Sequence, residues 1–383
     1  MHPNIEFNNV FFHVLLMITW GANSYGQLGI GYKCEQLLIP TPVSLGATEN
    51  NLSANNIHCI SAGAGHTLIL TKGGLIYACG WNLKGQLGLS SESLTFTAIT
   101  TLHNYKITDI SCGWDFSAAI TENGQLFVWG SNAFGQLGLP KDVKSVSTPT
   151  LVQTVKVKYV SCGLRHMSLV TSSGQLMICG NGSKGQLGLM DSTDNQVRET
   201  EFKILPNLNN VISVSCGQFH TLCLTSDDNV FVWGDNKHGQ LGLDLPRVLT
   251  PQKININVVP QQIFAGWTHS AILTKHGDVI NFGRNTYGQL GEEKINSGVP
   301  SRLLNVKNII QMSVGSEHNL AITANNKLFC WGWNEHGNCG TGDTENVTVP
   351  IKILSEESVL YTATGTGQSF AVIEKEYVNN EMN

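Results

Sequence analysis

Charge is scarce in this chain. Only 13% of its 383 residues are Asp, Glu, Lys or Arg, and 23 basic against 28 acidic side chains leave a net charge of −5. No basic stretch is available to follow a phosphate backbone, which excludes direct nucleic-acid binding. So little charge also argues against long, solvated surface helices. Long apolar runs are missing too. The run Phe11–Ile18 is far too short to span a bilayer. Glu6 precedes it, no basic residue does, and no small-residue cleavage site follows. It reads as a buried strand and not as a signal-peptide core. Cys-x-x-Cys, closely spaced histidine pairs, Gly-x-x-x-x-Gly-Lys-Ser/Thr, Gly-x-Ser-x-Gly and His-Glu-x-x-His are all absent. Their absence removes the common zinc sites, the P-loop and the hydrolase nucleophile. No catalytic residue, metal ligand or cofactor site is expected.

The ten cysteines lack the pattern of a disulfide framework. Cys112, Cys162 and Cys216 share one Ser-Cys-Gly slot, where Ala62 and Ala265 stand elsewhere. Cys79 and Cys179 share a second slot with Trp129 and Trp233. Exchange with alanine or tryptophan fits packing and not pairing, so a reduced, intracellular protein is expected. Its compartment would be the cytoplasm, with the nucleus open to it.

What the chain has in abundance is glycine, 40 in all. Gly-Gln-Leu-Gly begins at Gly26, Gly85, Gly135, Gly185, Gly239 and Gly288, and a decayed copy follows at Gly337–Gly340. A period of roughly fifty residues means stacked or radial repeats. One unit, Val157–Gly188, shows the content of each. Val157–Gly163 alternates and then turns small, as a first strand. His166–Thr171 reads as a second strand, Ser172-Ser173-Gly174 as a hairpin turn and Gln175–Gly180 as a third strand. A less regular fourth strand follows near a proline, as at Pro149–Val152. Four antiparallel strands per repeat make a propeller blade. Small residues end the first strand because inner strands converge on the axis. The leucine of each loop is expected between blades, and the glutamine amide on loop backbone groups.

A second phased signal is glycine followed three positions on by histidine: Gly63/His66, Gly163/His166, Gly217/His220, Gly266/His269 and Gly315/His318. Phe116 and Gln368 take the histidine position in two repeats. Five histidines on five different blades do not make a metal site. Packed histidines bonding a neighbouring loop are expected. At the ends, Ser358–Lys375 supplies first- and second-strand patterns, and Val14–Gly21 supplies a third, with Pro42-Val43 near the fourth. The fold class is therefore all-β: a seven-bladed β-propeller with a composite blade closed by the N- and C-terminal strands. It is one domain over residues 10–376, with short loose termini at 1–9 and 377–383.

The phased Trp-Gly, Gly-Gln-Leu-Gly and Gly-x-x-His motifs resemble the regulator of chromosome condensation family, over essentially the whole chain. Strings outside the repeat template look closer to one branch of it, exchange factors that regulate secretion. They include Cys112–Phe116, Gly163–His166, Gly266–His269, Gly315–Ile322 and Trp331–Gly337. The resemblance implies seven blades and guanine nucleotide exchange on a small GTPase, Ran-like or a trafficking GTPase. It implies no covalent chemistry, no cofactor and a monomer, with a secretory-machinery component as a further partner. In that family the turns after the first-strand glycine help form the exchange face, and an acidic residue in one of them matters. Those turns carry Trp114, Asp115, Arg165, His220, Trp267 and Glu317 here, the candidate GTPase contacts. Two family features are missing. The start, Met1–Glu6, is not a basic tail, and Ser131–Gly138 has template length where the family places a wedge. Extra residues fall near 45–56 and 191–202 instead. The alternative reading is a non-catalytic propeller scaffold that binds a GTPase or a trafficking component; a secreted lectin or inhibitor is disfavoured.

Overall fold

The computed structural model describes residues 9–45, 52–152, 155–189, 198–293 and 297–380. These residues form seven four-stranded antiparallel sheets arranged as the blades of a propeller. Blades 1 to 6 occupy residues 57–98, 107–152, 157–204, 211–253, 260–302 and 309–353, each with its strands in chain order. Blade 7 is the composite one. Its first and second strands, Ser358–Thr364 and Gln368–Asn380, join Asn9–Ala22 and Gln36–Pro42 in one sheet. The pairing of the two chain ends runs from Asn9↔Asn380 to Gly21↔Gln368, past the expected limits of 10 and 376. Residues 1–8 and 381–383 lie outside the described residues. So do most of the expected extra residues near 45–56 and 191–202. Of the second stretch, 198–202 belong to a fourth strand, Arg198–Ile204. No helix among the described residues is long and apolar enough to cross a membrane.

First strands of adjacent blades touch all the way round, including blade 7 against blade 1. Crowding at the axis is why this strand ends in Ala, Cys, Val or Thr. A serine one position earlier performs a task not read from the sequence. Ser61, Ser111, Ser161 and Ser215 each accept the backbone N–H of the next blade's small residue: Cys112, Cys162, Cys216 and Ala265, at 2.9–3.0 Å. Second strands are buried throughout in blades 1 to 5. All ten cysteines are free, and burial pushes Cys112 up to about 12 and Cys216 up to about 11, so these thiols pack and do not react.

Each Gly-Gln-Leu-Gly loop seats its leucine in the seam between blades. Leu28, Leu87, Leu137 and Leu241 are wholly buried. The glutamine side-chain oxygen takes the N–H two residues earlier, as in Lys84 N–H to Gln86 Oε1, 2.9 Å. Except in blade 3, where Gly182 stands, an asparagine four residues before the glutamine braces the loop from within. Asn132 Oδ1 accepts from Leu137 N, and its Nδ2 donates to Val143 O. The glutamine main-chain carbonyl points across the seam. Gln86 O accepts from Ser117 Oγ and Trp129 Nε1 of blade 2, each at 2.8 Å.

The histidines bond the next blade's second strand, and not a loop as expected. His66, His166, His220 and His318 place Nε2 at 2.9–3.0 Å from the hydroxyls of Ser117, Thr221, Ser270 and Ser369. Where blade 2 substitutes Phe116, blade 3 substitutes Met167 for the hydroxyl, and the two share one apolar cluster. The pair changes chemistry together because a buried hydroxyl facing a ring carbon would lose its partner.

Burial holds these four histidines down to about 3, from an ordinary 6.5. A depressed histidine stays neutral in the fold while the unfolded chain takes up its proton. Stability is therefore lost as pH falls below 6.5, at a slope approaching about 1.4 kcal/mol per pH unit for each. His166→Gln, copying the residue that blade 7 carries at Gln368, should remove one proton from that slope. Urea unfolding at pH 7, 6 and 5 measures it. The difference between the two proteins cancels Asp109, whose buried carboxyl is raised to about 7 and acts in the opposite sense. Equal slopes would mean that His166 is charged in the fold.

Candidate functional site

The turn between first and second strands is fixed before any functional residue is added. Gly113 N–H closes on Phe116 O at 2.8 Å, and a Cβ on Gly113 would strike the Phe116 ring. Gly130 holds the outer side. It has φ +101°, and a Cβ there would lie 2.6 Å from Asp115 O, which instead accepts Ser131 N–H at 2.9 Å. Only the two residues between glycine and ring remain free to vary, here Trp114 and Asp115. Trp114 lines the axial cavity, and both residues line the groove beside it.

Trp114 of blade 2 and Trp267 of blade 5 take the axial position from opposite sides of the ring. Their ring centroids are 5.4 Å apart, tilted by 36°. Together they line the mouth of the axial cavity, whose wall carries Cys112, Cys162 and Cys216. Beside this pair lies a surface groove of about 310 Å³, lined by Trp114, Asp115, Phe134, Leu164, Arg165, Gln218 and Trp267. Arg165 lays its guanidinium over the Phe134 ring, 4.2 Å from the centroid. Asp115 is half-buried. Burial raises its carboxyl above the usual range, opposed by the Ser131 side chain and by the charges of Lys84 and Arg165. One acid, one guanidinium and three aromatic rings thus converge on one groove. An arrangement of this kind can offer ring faces, one charge of each sign and hydrogen bonds to another surface, and it lacks a nucleophile–base pair. Among the described residues no group of His, Cys, Asp or Glu could hold a metal ion.

Four of the six sequence-predicted contacts, Trp114, Asp115, Arg165 and Trp267, are brought together here. Two are not. His220 is fully buried, with Nε2 on Ser270 Oγ at 3.0 Å. Its turn is on this face, but its ring points into the seam. Glu317 is only 5% exposed and accepts from Thr268 Oγ1 and Gln289 Nε2, both at 2.6 Å. Neither is available to a partner.

Sequence reasoning missed Phe134, Leu164 and Gln218, and two aromatic groups on the same face. Tyr25 stacks on Trp81 at 5.1 Å. Trp333 meets His336 at 5.3 Å and Tyr287 at 6.5 Å. A signal for them exists. The residue before each loop's first glycine varies: Tyr25, Lys84, Phe134, Lys184, His238, Tyr287 and His336. It lies next to the residue after the third-strand glycine of the following blade, as in Tyr25–Trp81.

Residues 16–372 match the family model described as the RCC1-like domain. The secretion-regulating guanine nucleotide exchange factor of Bos taurus is 35% identical over 265 residues, 66% of this chain and 56% of that protein. The ultraviolet-B receptor UVR8 of Arabidopsis thaliana is 34% identical over 228 residues, 59% of this chain and 50% of the receptor. The chain thus spans about half the length of these curated relatives. The crystal structure of Prp20p from Saccharomyces cerevisiae, described with its binding to Gsp1p and histones, superposes with a TM-score of 0.84. It is 24% identical and covers 94% of this chain and 91% of Prp20p, a likeness of fold.

Asp115→Ala should leave stability within about 1 kcal/mol of wild type, because the lost hydrogen bonds are offset by relief of a desolvated carboxylate. Thermal unfolding checks this. A fall of many degrees would make Asp115 a structural residue of the turn.

Proposed function

The chain belongs to the RCC1-like domain family, and from that premise we propose that it is a guanine nucleotide exchange factor. It binds a small GTPase, Ran-like or of the trafficking class, through the turn face, and serves secretion or vesicle transport. The observation that carries this reading is the groove of Trp114, Asp115, Arg165 and Trp267. All four stand where the blades depart from their template, and all four converge on one face. The relative named as a secretion-regulating exchange factor supports the reaction type. Exchange needs no covalent step. The factor binds the nucleotide-free GTPase more tightly than the loaded one, and this difference lowers the barrier to GDP release. Tryptophans at the edge of the groove supply affinity, while Asp115 and Arg165 set orientation.

A second reading, a scaffold that binds without accelerating exchange, is favoured by one feature. The loop Ser131–Gly138 has template length and is braced internally by Asn132, so no wedge projects from it. The two readings separate in one assay. GTPases loaded with fluorescent GDP, Ran first, are followed with and without the protein. Accelerated release supports exchange, whereas binding with no acceleration across a broad panel leaves the scaffold. The double variant Trp114→Ala/Trp267→Ala should weaken binding by about 30-fold, the loss of one hot spot of about 2 kcal/mol. Undiminished binding would place the contact elsewhere.

A further inference from the structure

The seam between blades 5 and 6 differs from its neighbours in charge. In four seams the histidine Nε2 meets a hydroxyl, and that hydroxyl donates to a loop carbonyl, as Ser117 Oγ does to Gln86 O. The hydroxyl must therefore accept, so Nε2 carries the proton. The Nδ1 of each is buried without a partner. A neutral imidazole accounts for all of this.

His269 meets different groups on both sides. Its Nε2 lies 3.0 Å from Asn319 Oδ1. Asn319 cannot be turned round, since its Nδ2 donates to Gln289 O at 2.9 Å. Nε2 again carries a proton. Its Nδ1, like the other four, is buried without a hydrogen bond, but it alone lies within ion-pair range of a carboxylate, 3.7 Å from Glu317 Oε2. Gln289 is also fixed, its Oε1 accepting Tyr287 N–H at 2.9 Å while its Nε2 donates to Glu317. The equivalent nitrogens of Gln86, Gln136 and Gln186 have no partner. An ionised Glu317 opposite a bare Nδ1 would set a buried charge against a lone pair. The other charged groups nearby do not bond to this carboxylate. Arg284 is engaged with Thr286 and Tyr287. His238 feels Glu317 only at longer range, and His220 and His318 sit neutral in the flanking seams.

We propose that Glu317 and His269 hold one proton between them, and that this pair is a positioning device for Trp267. Glu317 grips Thr268, the next residue along, and Trp267 N–H donates to Ser316 O at 2.7 Å. The turn is thereby fastened to blade 6 on both sides, with Trp267 held against Trp114. Glu317 acts through Trp267 and does not touch the partner. The functional half of this inference rests on the turn face being the binding surface.

The test uses the full chain carrying 15N-labelled histidine and tryptophan, at pH 7. His66, His166, His220 and His318 should show a bare Nδ1, and His269 a protonated or strongly bonded one. If Glu317 holds the proton as its acid, it donates to Nδ1, whose signal then moves from the bare value in the same direction but by much less than protonation moves it. In Glu317→Gln the amide donates to Nδ1 without supplying a charge. The Trp267 and Trp114 indole signals should then shift, while those of Trp129 and Trp233 stay. Binding of a nucleotide-free GTPase should weaken roughly tenfold, the scale of one lost tether. A wild-type His269 with the same bare Nδ1 as the other four overturns the proposal, and this spectrum needs no variant to fold. Unmoved Trp267 and Trp114 signals in Glu317→Gln overturn the positioning role. A wild-type chain that binds no GTPase sinks the proposed function instead, and leaves both spectral readings decisive here.

Discussion

One main-chain carbonyl per loop organises the whole ring. The carbonyl of Gln186 accepts from Thr221 Oγ1 and Trp233 Nε1, and that of Gln289 from Asn319 Nδ2 and Trp331 Nε1. The same bonds close blade 6 on blade 7, where Asn338 O accepts from Ser369 Oγ and Trp20 Nε1. Two donors from one blade thus converge on an acceptor from the blade before it. Glycines in the left-handed region bend the loop enough to present that oxygen, and the leucine anchors it in the apolar seam. Because the acceptor is backbone, the loop survives a change of side chain. Asn338 keeps the seam although its shorter amide has no partner at either atom. Blade 3 carries the complementary change. It lacks both usual donors, with Met167 and Cys179 in their places, and Cys179 Sγ alone reaches Gln136 O at 3.5 Å.

A framework fixed in this way leaves few positions free. Strand residues are committed to seams, and turn glycines to rings and carbonyls. The two residues before the histidine slot and the one before each loop glycine are the freedom that remains. Aromatic and charged residues concentrate there on one face: Trp114, Asp115, Arg165, Phe134, Trp267, Tyr25, Tyr287. The opposite face carries hairpin turns such as Glu122–Gly124 and Ser172–Gly174, which are polar. The asymmetry of the faces follows from which turns the template must fill.

Much of the fold was legible because it is periodic. Blade count, strand order, the composite blade and the packed cysteines follow from slots that repeat, and a slot is visible in one sequence. Side-chain direction was less legible. His220 and Glu317 stand in turns on the correct rim, yet one points into the seam and the other beneath it. A position in a turn fixes the backbone and not where the side chain lies. The contact of Trp114 with Trp267 could not be read at all, since it joins blades on opposite sides of the axis. The four serines and the asparagine brace recur at fixed places in the repeat, and their periodicity was available. What was hidden was the backbone group each one satisfies.

The central claim is that the turn face, and not the hairpin face, meets a GTPase. Hydrogen exchange of the propeller, alone and with an excess of nucleotide-free GTPase, tests it most directly. Slowed exchange confined to 113–116, 163–166 and 266–268, with the loops around 134 and 287, is the predicted footprint. Slowing centred on the hairpin turns at 122–124, 172–174 and 275–277, with the first set unchanged, would contradict the account.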